Sequence, residues 1–198
     1  MDNRYTHMNQ NLSDTAEIIS GYSFRGAVPH DPQGSFRVVQ VKDINEHGHI
    51  ETARLSPIED KGIKTDALLQ KNDILLSIRG TGTSGMKVGM YTCTDNHTIA
   101  TSSLYVLRIK DKTILPGYLL YYLRSFYGQH ALKNMMSGAT VRSILKKDLF
   151  ALSIPTPPIK QQQLVVDTAT NLIKQKQLLS QKIFFLNSLS DNIISIYT

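Results

Sequence analysis

The last forty residues of the chain restrict its fold more than any other part, because no proline or glycine follows Pro158. Three prolines in residues 155–158 stop any helix there, since each lacks an N–H group and crowds the preceding turn. Beyond them, mostly apolar residues recur in alternating steps of four and three. This 3.5-residue repeat is typical of a helix that packs against another helix. The positions of this repeat are Val165, Ala169, Leu172, Lys176, Leu179, Ile183, Leu186, Ser190, Ile193 and Tyr197, of which Lys176 and Ser190 are polar.

The length of this segment bears on what its apolar stripe contacts. At about 1.5 Å per residue, a helix over residues 161–196 is roughly 54 Å long, far more than an average globular helix. An ordinary core-packing helix is one interpretation, but a domain of this size rarely offers so long a surface. The length therefore favours a partner helix.

Composition and charge limit the class of protein. A chain of 198 residues with 41% hydrophobic content suits one domain plus an extended element. No apolar run approaches the roughly 18 residues of a membrane span, and residues 1–10 are too polar for a signal peptide. Cys93 is the single cysteine, so we expect a cytoplasmic protein without disulfides. The net charge of +6 permits binding to nucleic acid without requiring it.

The rest of the chain predicts short strands first and helices late. We predict strands at residues 35–41, 74–78, 88–92, 103–109 and 149–154. We predict helices at residues 116–126 and 129–136, and a short apolar stripe over residues 12–19 follows a possible cap at Ser13. The predicted fold class is α+β: a mixed α/β domain at residues 1–158, then one long helix at residues 159–198.

The sequence offers no catalytic, cofactor or metal site. Three glycines in residues 80–85 lie between two predicted strands and lack the Gly-Lys-Ser/Thr of a phosphate-binding loop. His47 and His49 have no cysteine or carboxylate at ligand spacing, and Cys93 has no histidine near it in sequence. We therefore expect no enzyme activity, no cofactor and no metal.

Two loops rich in small residues carry groups suited to binding DNA. The first follows the predicted strand at 74–78, and the second follows the predicted helix at 129–136. Arginine can bind guanine through two hydrogen bonds, while lysine, serine and threonine mainly hold phosphates. Alternatively, the two arginines pair with carboxylates inside the fold, and the sequence leaves both interpretations open. The candidate DNA-binding residues are Arg79, Thr81, Thr83, Ser84, Lys87, Thr140, Arg142 and Ser143.

Three segments, in order, resemble one family. Residues 68–80 resemble the "gDiLls-RG" core of a target recognition domain, and residues 116–123 with 137–140 are similar to its "p-yl-y-l…Ga" segment. Residues 145–163, including Gln162, resemble its "l-ip-PP-eQ" junction into a spacer helix, although Gln161 replaces the usual acidic residue. The family is the specificity (S) subunit of type I restriction–modification systems. Its members usually have two recognition domains and two spacer helices, whereas this chain has one of each.

The resemblance implies a non-catalytic subunit that binds double-stranded DNA and reads one half-site with each recognition domain. Its helix would hold the methyltransferase (modification) subunits and, through them, the restriction subunit. A one-domain version would need two copies, so we expect a homodimer whose helices pair as an antiparallel coiled coil. Two other hypotheses stay open: a stand-alone dimeric DNA-binding regulator, and a recognition-domain fragment of a fused methyltransferase–nuclease.

Overall fold

The computed structural model describes residues 8–59, 62–80, 85–138 and 142–196. Its strands and helices form a mixed α+β domain that ends in one long helix, which confirms the predicted fold class. The strands are β1 (Met8–Asn11), β2 (Ala16–Ser20), β3 (Phe36–Val39), β4 (Ser56–Ile58), β5 (Ile74–Gly80), β6 (Met86–Met90), β7 (Thr98–Ala100), β8 (Leu104–Ile109) and β9 (Ser153–Thr156). The helices are α1 (Leu12–Thr15), α2 (Pro116–Arg124), α3 (Phe126–Asn134), α4 (Lys146–Phe150) and α5 (Ile159–Ile196).

A four-stranded sheet, in the order β2-β8-β5-β6, is the centre of the domain. All its neighbouring strands are antiparallel. A three-stranded sheet, β4-β3-β7, lies beside it, and β1 pairs with β9 in a separate two-stranded ribbon. The continuous apolar run at residues 74–76 suits a strand that is covered on both faces.

Two hydrophobic clusters cover the two faces of β5. Ile74 and Leu76 pack into the larger cluster with the helices, whereas Leu75 packs into the second cluster with Val39 and Val106. This division follows from the alternation of side chains along a strand. A buried ion pair lies at the start of the strand, where Arg108 donates to Asp73 through Nε at 3.0 Å and Nη2 at 2.8 Å.

Several predicted elements differ from the structure. Residues 12–19 form one helical turn and then the strand β2, because β-branched Ile18 and Ile19 pair with β8. The predicted strand at 149–154 is wrong in its first half: α4 occupies residues 146–150, and the strand begins at Ser153, where β1 pairs with it. The predicted helix at 116–126 ends at Arg124, where the Ser125 hydroxyl accepts a hydrogen bond from the Gly128 N–H and caps α3.

The first turns of α5 pack on α2. Val166 lies where a Cβ on Gly117 would come within 3.1 Å of it, and the Tyr121 and Thr170 hydroxyls are 3.1 Å apart. The second contact lies four residues, or about one turn, after the first on both helices. The two helices therefore run in the same direction. Beyond Thr170 most described α5 side chains are exposed.

Candidate nucleic-acid interface

Backbone pairing brings the two loops predicted to bind DNA side by side. Arg79 at the end of β5 forms an antiparallel bridge with Ser143, and the Ile144 N–H donates to the Ile78 carbonyl at 3.0 Å. The Ile78 N–H in turn donates to the Ser103 carbonyl at 3.0 Å. One edge of the domain thus joins three segments, and we call it the rim. Its residues are Arg79, Gly80, Ser102, Ser103, Arg142 and Ser143.

Both rim arginines are exposed. Within the ranges that the structure describes, neither Arg79 nor Arg142 makes an ion pair; the buried pair of this domain is Arg108 with Asp73. The hydrogen bonds to Asp73 raise the pKa of the Arg108 guanidinium above its ordinary value. The alternative interpretation, that Arg79 and Arg142 pair with carboxylates inside the fold, therefore finds no support in the described residues.

The Ser77 hydroxyl holds the backbone of the rim at Arg79 through hydrogen bonds. Ser77 is buried, its Oγ donates to the Arg79 carbonyl at 2.9 Å, and it accepts from the Lys87 N–H at 2.9 Å. The register between β5 and β6 shifts between Leu76 and Gly80, and the hydroxyl fills the gap that this irregularity leaves. Sequence analysis missed this role, although a lone serine within an apolar strand was a usable signal.

The Gln129 side chain fixes the start of β6, directly after the glycine-rich loop. Its Oε1 accepts from the Met86 N–H at 2.8 Å, and its Nε2 donates to the carbonyls of Met86 and Leu123. Gly85 has φ +72°, and a Cβ there would lie 2.4 Å from Gln129 Oε1. A side chain at residue 85 would therefore be strained and would displace the amide.

The remaining predicted DNA-binding residues have different positions. Lys87 is half-buried, and its Nζ donates to the Ile44 carbonyl at 2.8 Å. The ammonium would have to leave this carbonyl to contact DNA. Ser143 lies on the rim through its backbone bridge. The predicted residues Thr81, Thr83, Ser84 and Thr140 lie outside the described residues.

The apolar positions of the 3.5-residue repeat on α5, which we call the seam, are largely exposed in the single chain. Leu172, Leu179 and Ile183 are 52, 59 and 59% exposed, and Val165 and Leu186 are exposed as well. Ala169 is half-buried, Lys176 is exposed, and the side chain of Ile193 lies outside the described residues. Exposed apolar surfaces of this size are typical of interaction sites.

A second apolar stripe on α5 was missed by the sequence analysis. Leu178, Phe185 and Leu189 are all exposed, and they lie about 100° around the helix from the seam because successive residues turn by that angle. Phe184 is also exposed, at 75%. The stripe is confined to the second half of the helix, so the 3.5-residue repeat that runs along the whole helix does not reveal it.

A groove of about 550 Å³ separates the outer part of the seam from the domain. Ile173, Lys176, Leu179 and Ile183 line its helix side, and Glu46, His47 and Arg124 line its domain side. The Arg124 guanidinium donates to the carbonyls of Val88 and Glu46, and burial lowers its pKa. Polar side chains of the domain therefore lie along one side of the seam, and hydrogen bonds to the backbone hold Arg124 in place there.

No group of three His, Cys, Asp or Glu residues in the part of the chain that the structure describes is placed to hold a metal ion. No helix in that part of the chain is long and apolar enough to cross a membrane.

Fold and rim together define a mixed α+β domain that presents an edge rich in arginine and serine and is joined to a long helix. The model of the type I restriction modification DNA specificity domain matches residues 7–186, and the chain belongs to that family. A comparison with curated proteins found no match.

Solved structures share the fold. One, described in work on complex assembly and conformational transition of the type I R-M system, superimposes with a TM-score of 0.65 and 22% identity. The HsdS subunit from Thermoanaerobacter tengcongensis superimposes with a TM-score of 0.61 and 24% identity. The type I restriction-modification system S subunit from M. genitalium superimposes with a TM-score of 0.58 and 18% identity. The matches cover 90, 88 and 91% of this chain but 41, 39 and 42% of those chains. This chain thus spans about two fifths of their length.

Proposed function

We propose that this chain is the DNA-reading subunit of a type I restriction–modification complex and that it supplies no catalysis itself. The observation that carries this proposal is the bridge between Arg79 and Ser143, which joins two loops into one edge with two exposed guanidinium groups. Exposed arginines can bind guanine edges through paired hydrogen bonds and can also neutralise phosphates. Thr81, Thr83, Ser84, Thr140 and Lys87 belong to the same proposed surface.

We propose further that two copies act together. The exposed seam on α5 supports a homodimer, and antiparallel pairing would place the two recognition domains at opposite ends. Each domain then reads one half-site, and the helices set the distance between the half-sites. Lys176 interrupts the seam next to the polar groove that Glu46 and Arg124 line, where a charged side chain is tolerated.

The second stripe on α5 is our candidate surface for the methyltransferase subunits, and through them for the restriction subunit. Leu178, Phe185 and Leu189 lie to one side of the seam, about 100° around the helix, so they remain accessible when two helices pair along it. Two apolar surfaces on one helix suit two different partners. A stand-alone regulator would need only the seam.

The test is DNA binding by the full chain together with its methyltransferase subunits. Arg79→Ala and Arg142→Ala should each weaken binding, and loss of a phosphate contact should lower the slope of log K against log salt by about one. Lys71→Ala is the control, because Lys71 is exposed at the opposite end of β5. The proposal fails if both arginine variants fold and bind DNA as the Lys71 variant does.

A further inference from the structure

A small hollow lies beside the rim, next to Ser102 and Ser103. Its volume is about 290 Å³, and Lys42, Ser102 and Ser103 are exposed at its edge. Its polar groups are an ammonium, an amide and three hydroxyls, a set that suits a phosphate and its sugar. The residues that define the hollow are Phe24, Gln40, Lys42, Thr101, Ser102 and Ser103.

Backbone hydrogen bonds make the hollow continuous with the rim. The Ser103 carbonyl accepts from the Ile78 N–H, and two residues earlier the Thr101 N–H donates to the Val39 carbonyl at 3.0 Å. Ser103 and Ser143 therefore both lie next to the end of β5, and the segment 40–42 follows beside Thr101.

The rim and the hollow both carry positive charge. Arg79 and Arg142 lie on the rim and Lys42 lies at the hollow, and all three side chains are exposed. The nearest acid in sequence is Asp43, whose carboxylate accepts from the Gln40 N–H at 2.8 Å. That carboxylate is thus engaged by the backbone at the start of the turn Val41–Asp43.

We propose that the hollow binds a backbone phosphate of the DNA, with Lys42 supplying the charge and the Ser102 and Ser103 hydroxyls supplying hydrogen bonds. The inference rests on the proposed DNA-reading function and extends the contact surface beyond the two predicted loops. With the rim arginines on the bases or phosphates of the same duplex, Lys42 neutralises a further phosphate next to them.

The experiment measures binding of the full chain, in complex with its methyltransferase subunits, to target DNA and to a scrambled duplex over a range of salt concentrations. A lost phosphate contact lowers the salt slope by about 0.9, which corresponds to about five-fold weaker binding at 0.15 M salt. Lys42→Ala should show this loss equally on both duplexes. Ser103→Glu, which adds a negative charge to the hollow, should weaken binding more.

Lys71→Ala is the matched control and should leave affinity and slope unchanged. If Lys42→Ala and Ser103→Glu both match that control while the unaltered complex binds its target, the inference is overturned and the proposed function stands. A loss confined to the target duplex would also overturn it, because Lys42 would then contact a base. If the unaltered complex binds no DNA, the proposed function fails and the inference fails with it.

Discussion

The Leu115 N–H donates a 2.9 Å hydrogen bond to Oε1 of Gln162, and this contact ties the first turn of α5 to the start of α2. Nε2 of the same side chain donates to the carbonyls of Thr113 and Pro157, each at 2.8 Å. Gln162 is fully buried. One side chain therefore fixes the angle at which the long helix leaves the domain.

Replacement of Gln162 should destabilise the protein. Gln162→Leu leaves one N–H and two carbonyl groups without a partner in a buried site, which should cost about 3 kcal/mol of unfolding free energy. The measurement is urea unfolding. Gln163→Ala is the control, because Gln163 is exposed and its amide bonds Asp167 on the same helix, so its change should stay within about 0.5 kcal/mol. Equal stabilities for the two variants would contradict this role of Gln162.

The buried ion pair at the start of β5 should contribute more to the free energy of unfolding than an exposed ion pair does. Arg108→Met leaves the carboxylate of Asp73, which is almost fully buried, without its charged partner and should cost about 3–5 kcal/mol. Arg54→Ala removes an exposed pair with Glu51 and should change stability by less than about 1 kcal/mol. Thermal unfolding of both variants makes the comparison. A small loss for Arg108→Met would mean that the pair does not hold the strand.

The proposed dimer predicts that a charge in the seam separates the two copies. Leu179→Glu or Ile183→Glu would bury a carboxylate without a partner at the helix contact, so the mass measured by light scattering should halve. Gln181→Glu adds the same charge on the opposite side of α5 and should leave the mass unchanged. An unchanged mass for both seam variants would show that the contact lies elsewhere.

Insertion into the helix tests its role in spacing. Four residues inserted between Gln175 and Lys176 add about one turn, or roughly 6 Å, and should widen the gap between half-sites by a few base pairs. The half-sites themselves should stay the same, because the recognition domains are untouched. The insertion shifts the heptad register by a stutter, and Gln175→Ala serves as the control that keeps the length. An unchanged gap with methylation intact would mean that the helix does not set the distance.

Local patterns predicted the elements that are long or strongly apolar. Helix α5 was predictable because no proline or glycine interrupts it after Pro158, and β5 because residues 74–78 are apolar apart from Ser77. Strand β1 and the short strand β7 depend on partners far away in the chain, and no local pattern marks them. For the same reason, Arg79 and Arg142 could be predicted as candidates from the sequence, but their proximity could not. That proximity depends on pairing between residues 79 and 143.

Methylation-aware sequencing of DNA from cells that express this chain with its methyltransferase subunits tests the central proposal most directly. Two identical domains related by a two-fold axis can read only identical half-sites on opposite strands. The expected result is one half-site repeated in inverted orientation around a fixed number of unspecified bases, with methylation lost when Arg79 is replaced by alanine. An asymmetric two-part site, or methylation that does not depend on this chain, would contradict the account.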